Sequence, residues 1–262
     1  METDLKPLMD VMTRLLAEDG CPWDKAQTHE TLRKYLLEET HEVIEAIDNK
    51  DMQNLKEELG DVLLQIVFHA KLAEQSGTFT MQDVVDTVTE KMIRRHPHIF
   101  GHVKAESPEE VAANWEEIKK QEKAAKGEKP ENQSIMSGLP PTLPALMKAE
   151  KVQKKARRVG FDFKNIEETR MKLDEELSEV DEALKGNGDI EDEIGDLLFS
   201  AVNYARFAKV DPEQALNRST NKFVNRFKSM ERKIMLDKKE FDNYTVKELD
   251  FLWEAAKDEE RK

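Results

Sequence analysis

The chain of 262 residues is long enough for one large domain or two small ones. Its formal net charge of −14 argues against bulk attraction to nucleic acid or to an anionic membrane, and its 6% aromatic content, with few glycines and prolines, favours helices over sheets. The single cysteine, Cys21, excludes an internal disulfide, and the lack of a long apolar segment predicts a cytoplasmic protein without a membrane span.

Two predicted helices, separated by a short polar break, follow the motif GCPWDK at residues 20–25. The first lies around LLEETHEVIEAI (36–47) and the second around EELGDVLLQIVFHA (57–70). Both carry apolar residues at intervals of three and four, which is the spacing of one helix face. Two such helices joined by a short break predict an antiparallel hairpin, which needs further helices to become a small bundle.

Each of these helices carries two acids three residues apart, beside its apolar stripe. The first has Glu39 and Glu42, and the second has Glu58 and Asp61. Residues three apart share a helix face, so the four carboxylates should converge when the stripes pack. We expect no lysine or arginine on the same faces, and converging anions at a core edge persist only if protonated, paired or bound to a cation. Ligands that are all carboxylate oxygens predict Mg2+ or Mn2+.

Two other interpretations of these acids stay open. Glu38 and His41 form a Glu-x-x-His pair of the kind that di-iron bundles use, although the partner helix carries Glu-x-x-Asp and the position of His41 in the second half of the chain is Ser178. A single Glu-x-x-Glu is usually a solvated helix face. The solvated-face interpretation is disfavoured because the acids adjoin apolar residues and recur in register. Iron is the weaker alternative because Ser178 and the Glu-x-x-Asp pairs depart from the di-iron pattern.

Five blocks recur in the same order in the second half of the chain. They pair GCPWDK with VGFDFK (159–164), LLEETHEVIEAI with LDEELSEVDEAL (173–184), EELGDVLLQIVFHA with DEIGDLLFSAVNYA (192–205), Lys91 and Arg95 with Lys222 and Arg226, and WEEIKK (115–120) with WEAAKD (253–258). The repeated acids are Glu176, Glu179, Glu193 and Asp196. In the predicted helix around DEIGDLLFSAVNYA, we expect Leu197, Leu198 and Ala201 to be buried.

The repetition predicts two homologous helical domains in tandem, residues 1–122 and 148–262. Between them, residues 123–147 contain four prolines and two glycines, a composition that breaks helices and predicts a linker. The basic segment KAEKVQKKARR (148–158) is expected to be a solvated helix that leads into the second domain, because no interleaved aromatics indicate a nucleic-acid site.

The motif EExxE followed by ExxD resembles the signature of the MazG-type nucleoside triphosphate pyrophosphohydrolases. The chain has it twice, as EETHE (38–42) with ELGD (58–61) and as EELSE (175–179) with EIGD (193–196). GCPWD, RRHPHIF (94–100), VGFDF and KFVNRF extend the resemblance over nearly the whole chain. It implies an all-α fold whose intertwined homodimers build the active sites.

The resemblance also implies an activity and its residues. Members hydrolyse NTPs and dNTPs at the α–β phosphoanhydride with Mg2+, giving a nucleoside monophosphate and pyrophosphate, as expected of nucleotide-pool cleanup or regulation. Carried over to this sequence, Glu176, Glu179, Glu193 and Asp196 are the implied metal ligands, and Glu175 the residue that orients or activates water. The implied phosphate and nucleotide contacts are Lys172, Lys222, Arg226, Trp253 and Lys257.

The second domain is expected to be the principal catalytic copy. Both copies keep the four acids, but Pro97 must disturb the helix that carries Lys91 and Arg95, whereas KFVNRF continues without a proline. The competing class of function is a non-enzymatic acidic helical module that regulates a partner and binds metal for structure. Product analysis after incubation with NTPs separates the two classes.

Overall fold

The computed structural model describes residues 4–125 and 134–260, without the side chains of Lys120 and Lys123. These residues form helices joined by turns and short loops and contain no β-strand, which confirms the predicted all-α class. The chain divides into two compact units, Met1–Glu128 and Lys129–Lys262. The division falls inside the predicted linker, of which residues 126–133 lie outside the described residues.

The first unit has seven helices among its described residues. They are α1 (Lys6–Leu15), α2 (Pro22–Lys25), α3 (His29–Asp48), α4 (Met52–Gln75), α5 (Met81–Arg95), α6 (Pro97–Phe100) and α7 (Pro108–Ala125). The predicted acidic hairpin is α3 and α4, and α1 packs against α4. Between α1 and this hairpin lies the unit's buried core, which includes Met12, Leu32, Val67 and Phe68.

Local sequence sets where these helices begin and end. The Thr28 side chain accepts from the Thr31 backbone N–H in a capping box at the start of α3, and Asp51 accepts from two backbone N–H groups at the start of α4. Pro97 cannot continue α5, which ends at Arg95, and it begins the separate α6. The expected interruption after Arg95 is therefore confirmed.

The second unit has five helices and one 3-10 turn among its described residues. They are α8 (Ala145–Arg157), α9 (Ile166–Leu184), α10 (Ile190–Phe207), α11 (Pro212–Leu236), the 3-10 turn Phe241–Asn243 and α12 (Val246–Glu260). The second acidic hairpin is α9 and α10; α8 packs on α10 and α11, and α12 packs on α11.

The basic segment forms part of α8, as predicted, and its polar side chains fix it in place. Gln153 is buried and its Nε2 donates to the Phe199 carbonyl of α10 at 2.9 Å. Lys155 Nζ donates to the carbonyls of Ile135 and Ser137 at 2.9 and 2.7 Å, which ties the end of the predicted linker to α8. The helix begins at Ala145, inside that predicted linker.

The outward faces of the acidic hairpins are exposed in the single chain. Leu198 is 54% exposed and Ala201 is exposed, so the expectation that both are buried is wrong for one chain alone. Helix α3 has the same character, with Leu37 60% exposed. The reason is geometric, because two packed helices cover only the face that each turns toward the other. No described helix is apolar over enough length to cross a membrane.

Candidate metal centres

Each unit brings three acids of its hairpin together. In the first unit, one carboxylate oxygen each from Glu39, Glu58 and Asp61 lie within 4.8 Å of one another. The second unit repeats this geometry with Glu176, Glu193 and Asp196. In both, the first helix supplies one acid and the second supplies two, one helical turn apart. The predicted convergence of acids from paired helices is therefore present in both copies.

The fourth predicted acid of each copy lies beside its three-acid group. Burial and the carboxylate of Glu42 contribute to raising the pKa of Glu58, which places Glu42 within electrostatic reach of that group. In the second unit, burial raises the pKa of Glu179; Glu176 and Glu193 raise it further, whereas Lys172 opposes the rise. From the edge of each group, Glu42 and Glu179 can therefore attract a bound cation through their negative charge.

The first cluster shows the cost of gathering negative charge. Burial is the largest cause of the raised pKa of Glu39, and the carboxylates of Asp61 and Glu42 add to it. Glu58 is only 9% exposed, and burial is also the largest cause of its raised pKa; the charge of Glu42 is the next largest. A raised carboxyl pKa means that the ionised form is disfavoured, and a cation among these oxygens would relieve that repulsion.

The second cluster contains a lysine, contrary to the expectation that no cation lies on these helix faces. Lys172 Nζ contacts Glu176 Oε1 at 2.8 Å, Glu175 Oε1 at 2.9 Å and Glu179 Oε2 at 4.0 Å. Hydrogen bonds to Glu176 and Glu175 raise the pKa of Lys172, so this ammonium stays protonated. The sequence expectation failed because Lys172 precedes Glu176 by four positions and therefore shares its face.

Glu176 tests whether these residues fit a metal ion. Its side chain is 5% exposed, and Oε1 accepts from Lys172 and, at 3.5 Å, from Ser200 Oγ. Its other oxygen, Oε2, is buried and has no hydrogen-bond partner among the described residues. A buried unpartnered carboxylate oxygen is costly, and a hard cation would satisfy it. The oxygen-only donors fit Mg2+ or Mn2+; neither three-acid group contains a histidine, and His41 is exposed, which disfavours the di-iron interpretation.

Sequence reasoning missed one polar residue on the second helix of each hairpin. Ser200 lies four positions after Asp196, and Gln65 lies four positions after Asp61. Ser200 donates to Glu176, while Gln65 is 7% exposed and no described residue pairs with its Oε1. A polar side chain one turn after the last acid, within an otherwise apolar run, was the signal for both.

The predicted nucleotide contacts form a separate group on α11 and α12. Arg226 Nε and Nη2 donate to Glu260 Oε2 at 2.8 and 2.6 Å, and its guanidinium carbon lies 5.8 Å from the centroid of the Trp253 ring. Lys257 pairs with Glu254 at 2.8 Å, and Lys222 is exposed. The Arg226–Glu260 pair and the Arg226–Trp253 contact join α11 to α12. Lys172 is the one predicted substrate contact that touches the acids through a described ion pair.

The same arginine, tryptophan and glutamate arrangement occurs in the first unit. Arg95 Nη2 donates to Glu122 Oε2 at 2.6 Å, and its guanidinium carbon lies 5.6 Å from the Trp115 centroid. Glu122 also accepts from Arg94 Nε at 2.7 Å. The hydrogen bond from Arg95, followed by that from Arg94, lowers the pKa of Glu122 to about 2. The repeat therefore extends from sequence blocks to individual contacts.

Glu122 gives a pH-dependent prediction. Its pKa falls from an ordinary 4.5 to about 2 on folding, so its stabilising effect is complete above pH 4.5 and is lost as pH falls through about 2. We expect Glu122→Gln to lower the free energy of unfolding most near neutral pH, with a difference from wild type that shrinks below pH 4.5. Urea titrations at several pH values measure this; a difference that stays constant or grows on acidification would contradict it.

The matches to known proteins cover both halves of the chain. The family described as the MazG nucleotide pyrophosphohydrolase domain matches residues 27–100 and 164–230, which include both acid clusters. A Thermotoga maritima protein named nucleoside triphosphate pyrophosphohydrolase/pyrophosphatase MazG is 48% identical over 95% of this chain and 94% of its own length. The Escherichia coli (strain K12) nucleoside triphosphate pyrophosphohydrolase is 39% identical over 97% of each chain.

Proposed function

The chain belongs to the MazG nucleotide pyrophosphohydrolase family and is an enzyme of that class, and we propose that it hydrolyses NTPs and dNTPs to nucleoside monophosphate and pyrophosphate with Mg2+. The observation that carries the proposal is the second cluster. Oxygens of Glu176, Glu193 and Asp196 lie within 4.8 Å of one another, and Glu176 Oε2 is buried with no partner in the part of the chain that the structure describes. Such a reaction serves cleanup or regulation of the nucleotide pool.

The roles of the acids follow from the chemistry of the α–β bond. Glu176, Glu193 and Asp196, with Glu179 at the edge, would hold the cation. A divalent cation there supplies polarisation of phosphoryl oxygens and a lower pKa for a bound water. Glu175, adjacent to this group and hydrogen-bonded to Lys172, orients water toward the α-phosphorus. The water oxygen forms the new bond to the α-phosphorus and its proton passes to Glu175, while the P–O bond to the β-phosphate breaks and pyrophosphate leaves.

The residues on α11 and α12 bind the rest of the substrate in this proposal. Lys222 and Arg226, one turn apart on α11, offset the negative charge of the phosphates and of the leaving pyrophosphate. Trp253 offers an aromatic face to the base, a contact that tolerates different bases. Lys257 lies one turn further along α12 and would supply a second contact to the nucleotide.

The second unit is the better candidate for the principal site. Its α11 runs without interruption from Pro212 to Leu236 and carries both Lys222 and Arg226. In the first unit, α5 ends at Arg95, and Glu122 holds both Arg94 and Arg95. Two arginines committed to one carboxylate are less free to bind phosphate, so the first unit serves mainly as a weaker site or as scaffold.

A second copy of this chain is proposed to cover the exposed apolar face of the second hairpin. This face consists of residues on α9 and α10 that are 40–70% exposed: Leu177, Leu184, Ile190, Ile194, Leu198 and Phe199. Six large apolar side chains on one helix pair exceed what a solvated surface usually leaves grouped. The face lies on the same two helices that carry the acids, so a homodimer would exclude water beside the catalytic groups.

Leu198→Asp tests the homodimer. We expect this variant to raise the dimer dissociation constant at least about tenfold, because a buried unpaired carboxylate is strongly disfavoured at an apolar interface. Sedimentation over a range of concentrations gives the constant. Leu236→Asp makes the same change at a leucine that is 82% exposed near the end of α11 and serves as the matched control. A wild-type chain that sediments as a monomer at all concentrations would refute the dimer.

The activity itself is tested by product analysis. The full chain is incubated with a panel of NTPs and dNTPs and Mg2+, and the products are separated. We expect monophosphate and pyrophosphate, with loss of both products in the presence of EDTA. Diphosphate with orthophosphate would assign cleavage to the β–γ bond, and no turnover with any substrate would favour the non-enzymatic acidic module instead.

A further inference from the structure

Lys172 is the side chain that distinguishes the second acid cluster from the first. Its Nζ is held by Glu176 Oε1 at 2.8 Å and Glu175 Oε1 at 2.9 Å, with Glu179 Oε2 at 4.0 Å. Glu176 is the most buried acid of the cluster, with a side chain only 5% exposed. Three carboxylates around one ammonium resemble the surroundings of a bound metal ion more than those of a surface ion pair.

The first cluster has a different residue at the corresponding position. The alignment of Glu39 with Glu176 places Tyr35 opposite Lys172. Tyr35 packs against the core of the first unit, and its ring lies 5.8 Å from that of Trp23. The two clusters therefore share three acids in one geometry but differ in an internal positive charge.

We propose that Lys172 is a built-in competitor of the metal ion in the second unit, and that its displacement couples metal binding to nucleotide binding. The inference rests on the proposed function and adds a regulation of that site. Lys172 holds Glu176 Oε1, the second oxygen of the carboxylate whose Oε2 is open to a divalent cation, and its positive charge repels that cation. The lysine stem is flexible, so Nζ can leave when the cation binds.

The displaced ammonium then becomes available to the substrate. Lys172 is 34% exposed, so its Nζ can turn outward to a phosphate oxygen without crossing the core. Metal binding thereby releases a phosphate-binding group, and a triphosphate that holds Lys172 in turn leaves Glu176 to the metal. Because such coupling is reciprocal, nucleotide must raise metal affinity by the same factor as metal raises nucleotide affinity.

Metal binding without turnover tests the competitor directly. The full chain carries Glu58→Gln and Asp61→Asn to silence the first cluster, and free Mn2+ is followed by electron paramagnetic resonance without nucleotide. We expect Lys172→Met to tighten Mn2+ binding about fivefold, the equilibrium factor of a partly exposed ion pair. Lys172→Arg keeps the charge and should keep the weaker affinity. Lys185→Met is the matched control, because it removes a lysine that pairs with Glu182 at the C-terminal end of α9, away from the acid cluster.

The outcomes separate this inference from the proposed function. Unchanged or weaker Mn2+ binding in Lys172→Met, or equal tightening in Lys185→Met, would overturn the competitor role while leaving the metal site intact. If Glu193→Gln leaves the Mn2+ isotherm of the parent unchanged, the cluster is not the metal site and the proposed function fails with it. A methylene-bridged α–β triphosphate analogue should tighten Mn2+ binding in the parent and do so less in Lys172→Met.

Discussion

Replacing Glu176 with glutamine is expected to lower the rate of pyrophosphate release at least about a hundredfold. Mutation of a residue that only hydrogen-bonds to a metal ligand already lowers metal affinity or activity about 10- to 100-fold, and Glu176 is itself a proposed ligand. Glutamine keeps the size of the side chain but removes the negative charge. It therefore loses the buried Oε2 as a charged ligand while preserving the packing of α9 on α10. Steady-state assays with saturating Mg2+ and NTP, together with thermal unfolding to show that the fold is kept, measure the effect.

The matched substitution in the first unit is Glu39→Gln. It changes the corresponding acid of a cluster with the same three-acid geometry, so general effects of charge on the chain are equal in the two variants. We expect this variant to retain most of the wild-type rate, because the second unit is proposed as the principal site. Equal losses in the two variants would make both sites catalytic, and full activity in Glu176→Gln would remove the second cluster from the reaction.

The acid clusters were predictable from sequence because their causes are local. A spacing of three residues fixes which side chains share a helix face, and duplication fixes which helices pair. The contact of Lys172 with Glu176 follows from the same rule, since the lysine lies four residues before that acid, and the expectation that no lysine shares this face was wrong. The exposure of Leu198 could not be predicted in this way because its cause is not local. It depends on how many helices one chain supplies to cover α10.

The pairing of Arg226 with Glu260 depends on tertiary structure. The two residues are 34 positions apart, and their contact requires α12 to fold back along α11. Sequence repetition linked Trp115 to Trp253 without showing that each stacks near an arginine. Once both units are compared, Arg95 with Glu122 and Arg226 with Glu260 emerge as one repeated ion pair. The difference between units is then how firmly the carboxylate holds the arginine.

That difference leads to the second large effect, which is expected for Arg226→Met. Glu260 is 41% exposed and holds Arg226 alone among the described residues, whereas Glu122 is 16% exposed and holds two arginines. A partly exposed ion pair is worth about 1 kcal/mol or less, so a triphosphate can take Arg226 from Glu260. Loss of a charge-assisted contact to the phosphates should lower kcat/KM about a hundredfold.

Arg95→Met is the matched change in the first unit. We expect it to leave kcat/KM within about threefold of wild type while lowering stability, because it breaks the part-buried pair with Glu122. Arg226→Lys should recover part of the lost activity, since it restores a positive charge without the planar fork. If Arg226→Met and Arg95→Met lower stability alike but neither affects kcat/KM, both arginines are structural. The phosphates must then be held elsewhere, and Lys172 and Lys222 would be the residues to replace next.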